Sequence, residues 1–397
     1  MKQVNIVKRK RVLILSEGFG GGHTQAAYAI AAGMKLVSPD IHTKVLELGS
    51  FLNPVIAPII LSAYRRTVVT SPALIGMLYR KQYDKPINRL TRLALHKIFY
   101  TQTINVIEQL KPDLIICTHY IPSAVISRLK AAGLKVPLYT LITDYDAHAA
   151  WINPEIDRYL VSTPEVRRLL MKRGVQPSQI QVTGIPVHPN FWTTKNKSCA
   201  RSELNLRDIP TVLVMGGGWG LLFKKQVLDT LTSWKDKVQL VFCTGTNEKL
   251  AAKLQHHPSF THPNIVILGH TNEISKWMDA ADLLITKPGG MTCTEALAKD
   301  LPMLFCESIP GQEDSNREYF INSGYGEMLS SEAIDRWLER LTTRHHHEQS
   351  NHSRIKAFKP NYQPDRCVRD LAEMLNQIQA GRSKSHIDEQ LLTPIGM

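Results

Sequence analysis

Between Ser16 and Met34 the chain reads SEGFGGGHTQAAYAIAAGM, an apolar run closed by three adjacent glycines and then, without a gap, His23 and a helical periodicity. A strand, a glycine-rich turn and a helix N-terminus bring backbone N–H groups and the positive end of a dipole to the carboxyl edge of a parallel sheet, where ligands of such folds bind. The spacing is not that of a dinucleotide fingerprint, because His23 stands where G-x-G-x-x-G carries its third glycine. An imidazole at that position projects into the crevice, and a side chain titrating near ~6.5 can accept a proton at neutral pH. Capping the helix or filling space is the plainer alternative for a lone histidine.

Two further glycine turns follow apolar runs. Gly216-Gly217-Gly218-Trp219-Gly220 comes after TVLVM, and Pro288-Gly289-Gly290 comes after the strand expected at Leu283 to Thr286. A helix is expected to open at Thr292, presenting another phosphate-binding N-terminus. Glu295, three residues on, fits a capping box with Thr292; as an alternative, its carboxylate can grip the two hydroxyls of a ribose. Past the next strand, Gln312 and Glu313 offer an amide and a carboxylate suited to vicinal sugar hydroxyls, with Asn316 nearby; a surface ion-pairing loop is the alternative. No D-x-D closes a strand of this second half to hold a metal, so the charge of a bound diphosphate must fall on backbone N–H groups at Gly217, Gly218, Gly290 and Met291 and on the helix from Thr292. Neither a metal nor a cofactor is expected.

The elements that must position these residues alternate along the whole chain. RVLILS, TKVLEL, DLIICTH, VPLYTLITD and RYLVST, then TVLVMGGG, VQLVFCTG, NIVILGH, DLLITKPGG and PMLFCES, are short β-rich runs separated by helical segments such as Lys224 to Trp234. This is the pattern of two doubly wound α/β domains joined near residues 186 to 204. Thr163 before Pro164 reads as an N-cap and first helical position, with Gly174 as the stop. At 397 residues and 43% apolar content the chain can bury such cores. Its net charge is +13, and the first hundred residues hold 15 Lys/Arg against 4 Asp/Glu, +11 of that total. Such a bias points to an anionic partner, a membrane surface or a nucleic acid, unless it is only a solvated face. The basic stretch carries no nucleic-acid-binding motif, so a nucleic-acid partner is not expected. Between residues 50 and 100, proline-interrupted apolar segments carry Arg65, Arg66, Arg80, Lys81, Arg89 and Arg92, a mixture suited to the headgroup layer or to helices packed on the sheet with their cations outward. The six cysteines are scattered without a C-x-x-C pair, as in a reducing cytoplasm. The apolar part of KRKRVLIL is too short for a signal peptide, and no run approaches the ~20 apolar residues of a spanning helix. The histidines of RHHHEQSNH read as an exposed loop, and the end of the chain as a loose polar tail.

Taken together, GGGH, TDYDAHAAWINPEIDRYLVST, VTGIPVHPNF, MGGGWG, TKPGGMTCTEALAKDLP and PGQEDSN, in this order over roughly residues 11 to 330, resemble the family of monogalactosyldiacylglycerol synthases and bacterial processive diacylglycerol glucosyltransferases, with a more distant similarity to the peptidoglycan enzyme MurG. The resemblance implies a GT-B fold. Residues 1–190 would form an acceptor- and membrane-side Rossmann-like domain and 191–360 a UDP-sugar-binding one, closing on each other about residues 186 to 204. A helix at 361–381 would cross back to the first domain, followed by the tail at 382–397. It implies His23 as general base, Glu295 as the ribose-binding acid, and Gln312 with Glu313 as the residues that hold donor sugar hydroxyls. Asp144 would orient the histidine or the acceptor, and His148 matches with less weight. The implied function is inverting transfer of glucose or galactose from a UDP-sugar to diacylglycerol, once or repeatedly, by a peripheral enzyme at the cytoplasmic face of an anionic membrane. MurG-like transfer of N-acetylglucosamine to a lipid-linked cell-wall precursor is the nearest alternative. A non-catalytic nucleotide-sugar-binding protein, disfavoured by His23, and an oxidoreductase, disfavoured by the missing glycine, are the others.

Overall fold

The computed structural model describes residues 9–71, 76–77, 83, 89–90, 93, 97, 102–217, 224–306, 311–344 and 362–391. Two six-stranded sheets, parallel throughout, account for the alternation read in the sequence. The first comprises β1 (Lys10–Ser16), β2 (Ile41–Glu47), β3 (Leu114–Cys117), β4 (Leu138–Leu141), β5 (Arg158–Val161) and β6 (Ile180–Val182), in the spatial order β2-β1-β3-β4-β5-β6. The second comprises β7 (Thr211–Met215), β8 (Gln239–Cys243), β9 (Ile265–Leu268), β10 (Leu283–Thr286), β11 (Met303–Phe305) and β12 (Gly326–Met328), in the order β12-β11-β10-β7-β8-β9. Strands such as Leu114–Cys117 and Leu283–Thr286 are apolar without alternation because both faces are covered, and every residue in them is buried.

Strand order reverses between β1 and β3 in one sheet and between β7 and β10 in the other. Those are the points where the carboxyl ends of a doubly wound sheet leave a crevice for ligand. The glycine turn before His23 follows β1, Gly217 follows β7, and Pro288-Gly289-Gly290 follows β10. Local signals hold at the helix Pro164–Lys172, where Thr163 accepts the Val166 N–H and Gly174 follows the last turn with φ 90°. Proline at 58 is accommodated in the first turn of the helix Ile56–Thr70, where a missing N–H breaks no intrahelical bond.

Three sequence expectations change. The helix expected to open at Thr292 runs from Gly290 to Ala298 with Gly289 at its N-cap and no side-chain cap, so Thr292 and Glu295 make no capping box. The C-terminal helix runs from Arg366 to Leu391, past the expected end at 381, in a stretch where no proline occurs before Pro394. The segment between the sheets is not free along its length: Lys299 Nζ donates to the carbonyls of Asn190 and Thr193 and to Asp279 Oδ2, Ser275 Oγ donates to Asn190 O, and Arg201 pairs with Asp282. From Asn190 onward it belongs mechanically to the second sheet. Trp192 and Val368 both rest on the helix Gly21–Val37 at Gly33, where a Cβ would stand 2.7 Å from Val368 Cγ2 and 3.0 Å from Trp192 Cζ2. The RHHHEQSNH loop lies outside the described residues apart from Arg344.

Candidate active site

The helix Gly21–Val37 starts on Gly20, whose φ of 105° is open to glycine and strained for other residues. Its first turn therefore delivers His23 to the carboxyl ends of β1 and β3. His23 is 9% exposed; its Nδ1 lies 3.0 Å from the carbonyl of Thr118, just past β3, and 2.7 Å from Thr143 Oγ1, just past β4. A carbonyl can only accept, so Nδ1 carries the proton and Nε2 keeps a lone pair. Burial, opposed in part by the Thr118 bond, lowers the His23 pKa to about 4, and the ring is neutral at physiological pH. His119 packs edge-on against it with centroids 4.6 Å apart, and Tyr120, His148 and Trp151 continue the cluster. Burial lowers His148 to about 3 and His119 well below the usual imidazole range, so this wall of the crevice is uncharged.

The loop after β4 is wedged into the second half of the molecule. Asn316 Oδ1 accepts the Tyr145 N–H at 2.8 Å, and its Nδ2 donates to Asp144 Oδ1 at 3.0 Å and to Pro288 O at 3.1 Å. Tyr145 bonds Thr294 Oγ1 at 2.9 Å and stacks on Tyr319 with centroids 4.4 Å apart, while Ser315 donates to Asp146. Asp144 thus joins the two halves, while Thr143 and the Thr118 carbonyl are the groups bonded to His23. Burial, opposed by the Asn316 bond, raises the Asp144 carboxyl to about 6. The polar atoms of Asn316, expected at the donor, are engaged in this joint, and the residue is fully buried.

The two glycine turns meet here. A Cβ on Gly22 would lie 3.4 Å from Met291 Cγ, so the N-terminus of the helix carrying His23 faces the N-terminus of Gly290–Ala298. In the second helix the first intrahelical bond is Cys293 N–H to Gly289 O, leaving Gly290, Met291 and Thr292 ahead of it. Two helix starts converge on one crevice, an arrangement that favours an anion. On the far side of the second sheet's reversal point, Gly217 takes φ 74°, and Lys287 lies across it to reach Glu313 Oε1 at 2.5 Å. Tyr64, from the helix Ile56–Thr70, is within electrostatic reach of both. Gly218, the side chain of Gln312, Arg80, Lys81, Arg92 and the side chain of Arg65 lie outside the described residues. Arg66, Arg89 and Lys97 are exposed, as are Phe51, Val55, Ile56 and Ile59.

Sequence reasoning passed over Thr118, Thr143, His119 and Lys287. Thr143 and Lys287 sit inside the motifs TDYDAH and TKPGG, and only the geometry shows that the first touches His23 and the second crosses Gly217.

Glu295 stands a turn beyond the helix start, half-buried, and Tyr362 lies within its electrostatic reach. Burial raises its carboxyl from the ordinary 4.5 to about 8. The folded protein then holds a proton that the unfolded chain has lost, so this group makes stability fall as pH rises from about 4.5 through about 8. Asp144 acts with the same sign but is finished by about 6. Glu295→Gln is therefore expected to flatten the decline in melting temperature between about pH 6.5 and 8; thermal denaturation across that range checks it, and an unchanged slope would refute it.

Comparison with known proteins agrees with the geometry. Residues 23–187 match the family model described as monogalactosyldiacylglycerol (MGDG) synthase, and residues 211–366 match the glycosyltransferase family 28 C-terminal domain. The chain is 30% identical over 376 residues to the processive diacylglycerol beta-glucosyltransferase of Staphylococcus haemolyticus, covering 94% of each chain. It is 30% identical over 379 residues to the enzyme of the same name from Staphylococcus aureus, covering 93% of this chain and 94% of the relative. Among solved structures, Acinetobacter baumannii MurG superposes with a TM-score of 0.56 at 14% identity over 94% of this chain and 99% of its own. Anabaena HepE in complex with UDP superposes with 0.52 at 14% over 92% and 100%. These likenesses show the GT-B fold.

Proposed function

The chain belongs to the monogalactosyldiacylglycerol synthase family of glycosyltransferases, and from that premise we propose that it moves a hexose from UDP-glucose or UDP-galactose to the hydroxyl of diacylglycerol, with inversion and without a metal. The observation that carries the reading is the meeting of the neutral His23 ring with the converging helix starts at Gly21 and Gly290. The acceptor oxygen attacks the anomeric carbon from the side opposite the diphosphate. Its proton passes to Nε2 of His23 as the bond from the anomeric carbon to the diphosphate oxygen breaks, and UDP departs with the electron pair. The N–H groups of Gly217, Gly218, Gly290 and Met291, with Thr292 in the same helical turn, meet the charge that builds on the leaving group. Glu295, its carboxyl raised to about 8 by burial, can both donate to and accept from ribose hydroxyls, and Gln312 and Glu313 serve the hexose.

The acceptor lies in a bilayer. Exposed Phe51, Val55, Ile56 and Ile59 near the exposed Arg66 suit docking at the headgroup layer of an anionic, cytoplasm-facing leaflet, each basic residue near the surface contributing about 1 kcal/mol. Among the described residues no helix is long and apolar enough to cross a membrane.

The test is to supply UDP-glucose, UDP-galactose and UDP-N-acetylglucosamine separately with vesicles containing diacylglycerol, with and without anionic lipid, and to identify the lipid product. Hexosyl-diacylglycerol is expected, formed faster on anionic vesicles and slowed by salt. Transfer only to a lipid-linked cell-wall precursor would favour the MurG-like reaction, and absence of any glycolipid would overturn the proposal.

A further inference from the structure

Lys287 and Glu313 form an ion pair at the reversal point of the second sheet, at the mouth of the crevice. The lysine stem lies over Gly217, where a Cβ would come within 2.8 Å of Lys287 Cε. Its ammonium donates to Glu313 Oε1 at 2.5 Å, using one of three N–H donors. Glu313 is only 7% exposed, in the first turn of the helix Gln312–Asn322, and Tyr64 reaches toward the pair from the first half of the molecule. A cation thus lies over Gly217, paired with the buried carboxylate of Glu313.

We propose that Lys287 is the cation that binds the donor's diphosphate, and that Glu313 holds it until the donor's sugar takes its place. This rests on the reading of the protein as a UDP-sugar transferase. When Glu313 turns to the hexose hydroxyls, the ammonium passes to the phosphate oxygens above Gly217. No covalent bond changes in this exchange. The whole donor satisfies both partners, whereas UDP alone must draw the lysine out of its ion pair with a buried carboxylate and puts nothing in its place, a costly exchange. The same asymmetry works after transfer. UDP that has lost its sugar faces a carboxylate reclaiming its lysine, and product release is favoured.

Calorimetric titration of wild type, Lys287→Met, Lys287→Arg and Glu313→Gln with UDP and with uridine tests the assignment. Lys287→Met is expected to weaken UDP by about 10- to 100-fold, the range of a lost charge-assisted hydrogen bond, and to leave uridine affinity unchanged, which also reports an intact fold. Lys287→Arg is expected to recover part of the UDP affinity. Glu313→Gln, which frees the lysine, is expected to bind UDP more tightly than wild type while losing the preference for UDP-hexose over UDP. Equal weakening of UDP and uridine in Lys287→Met, or unchanged UDP binding there, would overturn the role of Lys287. Weaker UDP binding in Glu313→Gln would overturn the exchange even if Lys287→Met fails to fold. Wild-type protein that binds UDP no better than uridine would overturn the underlying reading as well; glycolipid formation by wild type alongside a silent Lys287→Met would leave that reading standing and remove this one alone.

Discussion

His23→Ala is expected to lower kcat by about 10²–10⁴-fold while leaving UDP affinity unchanged. The size follows from what the ring does. Its Nδ1 proton is fixed on the Thr118 carbonyl, and Nε2 is the lone pair available for the acceptor's proton. With its pKa lowered to about 4 by burial, the imidazole is in the accepting form at neutral pH. In the proposed reaction the donor is held by other residues, so binding and turnover are expected to separate. Rate assays with saturating UDP-sugar and calorimetry with UDP check both halves. Undiminished kcat would remove His23 from the chemistry, and a matching loss of UDP affinity would make it a donor-site residue.

Among the glycines whose surroundings are described, Gly290→Ala is expected to add the most damaging methyl. Its Cβ would stand 2.1 Å from the carbonyl oxygen of Thr143 and 3.2 Å from Asp144 Oδ1. The obstacle is backbone, so no rotamer change relieves it. The loop after β4 must back out, and that loop carries the Thr143 hydroxyl bonded to His23 as well as Tyr145, which is bonded to Thr294. Overpacking of this kind costs about 1–3 kcal/mol of stability, and a catalytic group displaced by ~1 Å loses about 10²-fold in rate. Gly289→Ala, whose added methyl meets nothing within 4 Å, is expected to melt with the wild type. Wild-type kcat and melting temperature in Gly290→Ala would contradict the contact between the two halves.

The layers of this fold are legible in the sequence because strands buried on both faces announce themselves. LIIC and LLIT leave no position for water, and each lies in the middle of its sheet. Thr163-Pro164 and Gly174 are similarly local, since a cap and a left-handed stop depend on their own backbone alone. Where a residue's meaning comes from a distant partner, sequence is mute. Asp144, implied to orient His23 or the acceptor, is bonded to Asn316, 172 positions away. Thr143, its neighbour, does the work expected of it, and nothing in a single threonine says so. The spacing of Thr292 and Glu295 misleads for a different reason. Thr-x-x-Glu imitates a capping box, but Gly289 and Gly290 let the helix start two residues earlier, so both side chains fall inside it.

The crowding at Gly33 reaches well beyond its own packing. The chain leaves the first half through the segment holding Trp192 and returns through the helix holding Val368, and both arrive at this one glycine. Gly33 thus ties both crossings of the chain to the helix whose first turn carries His23. A side chain at position 33 would push on both crossings at once, and through them on the helix that delivers His23.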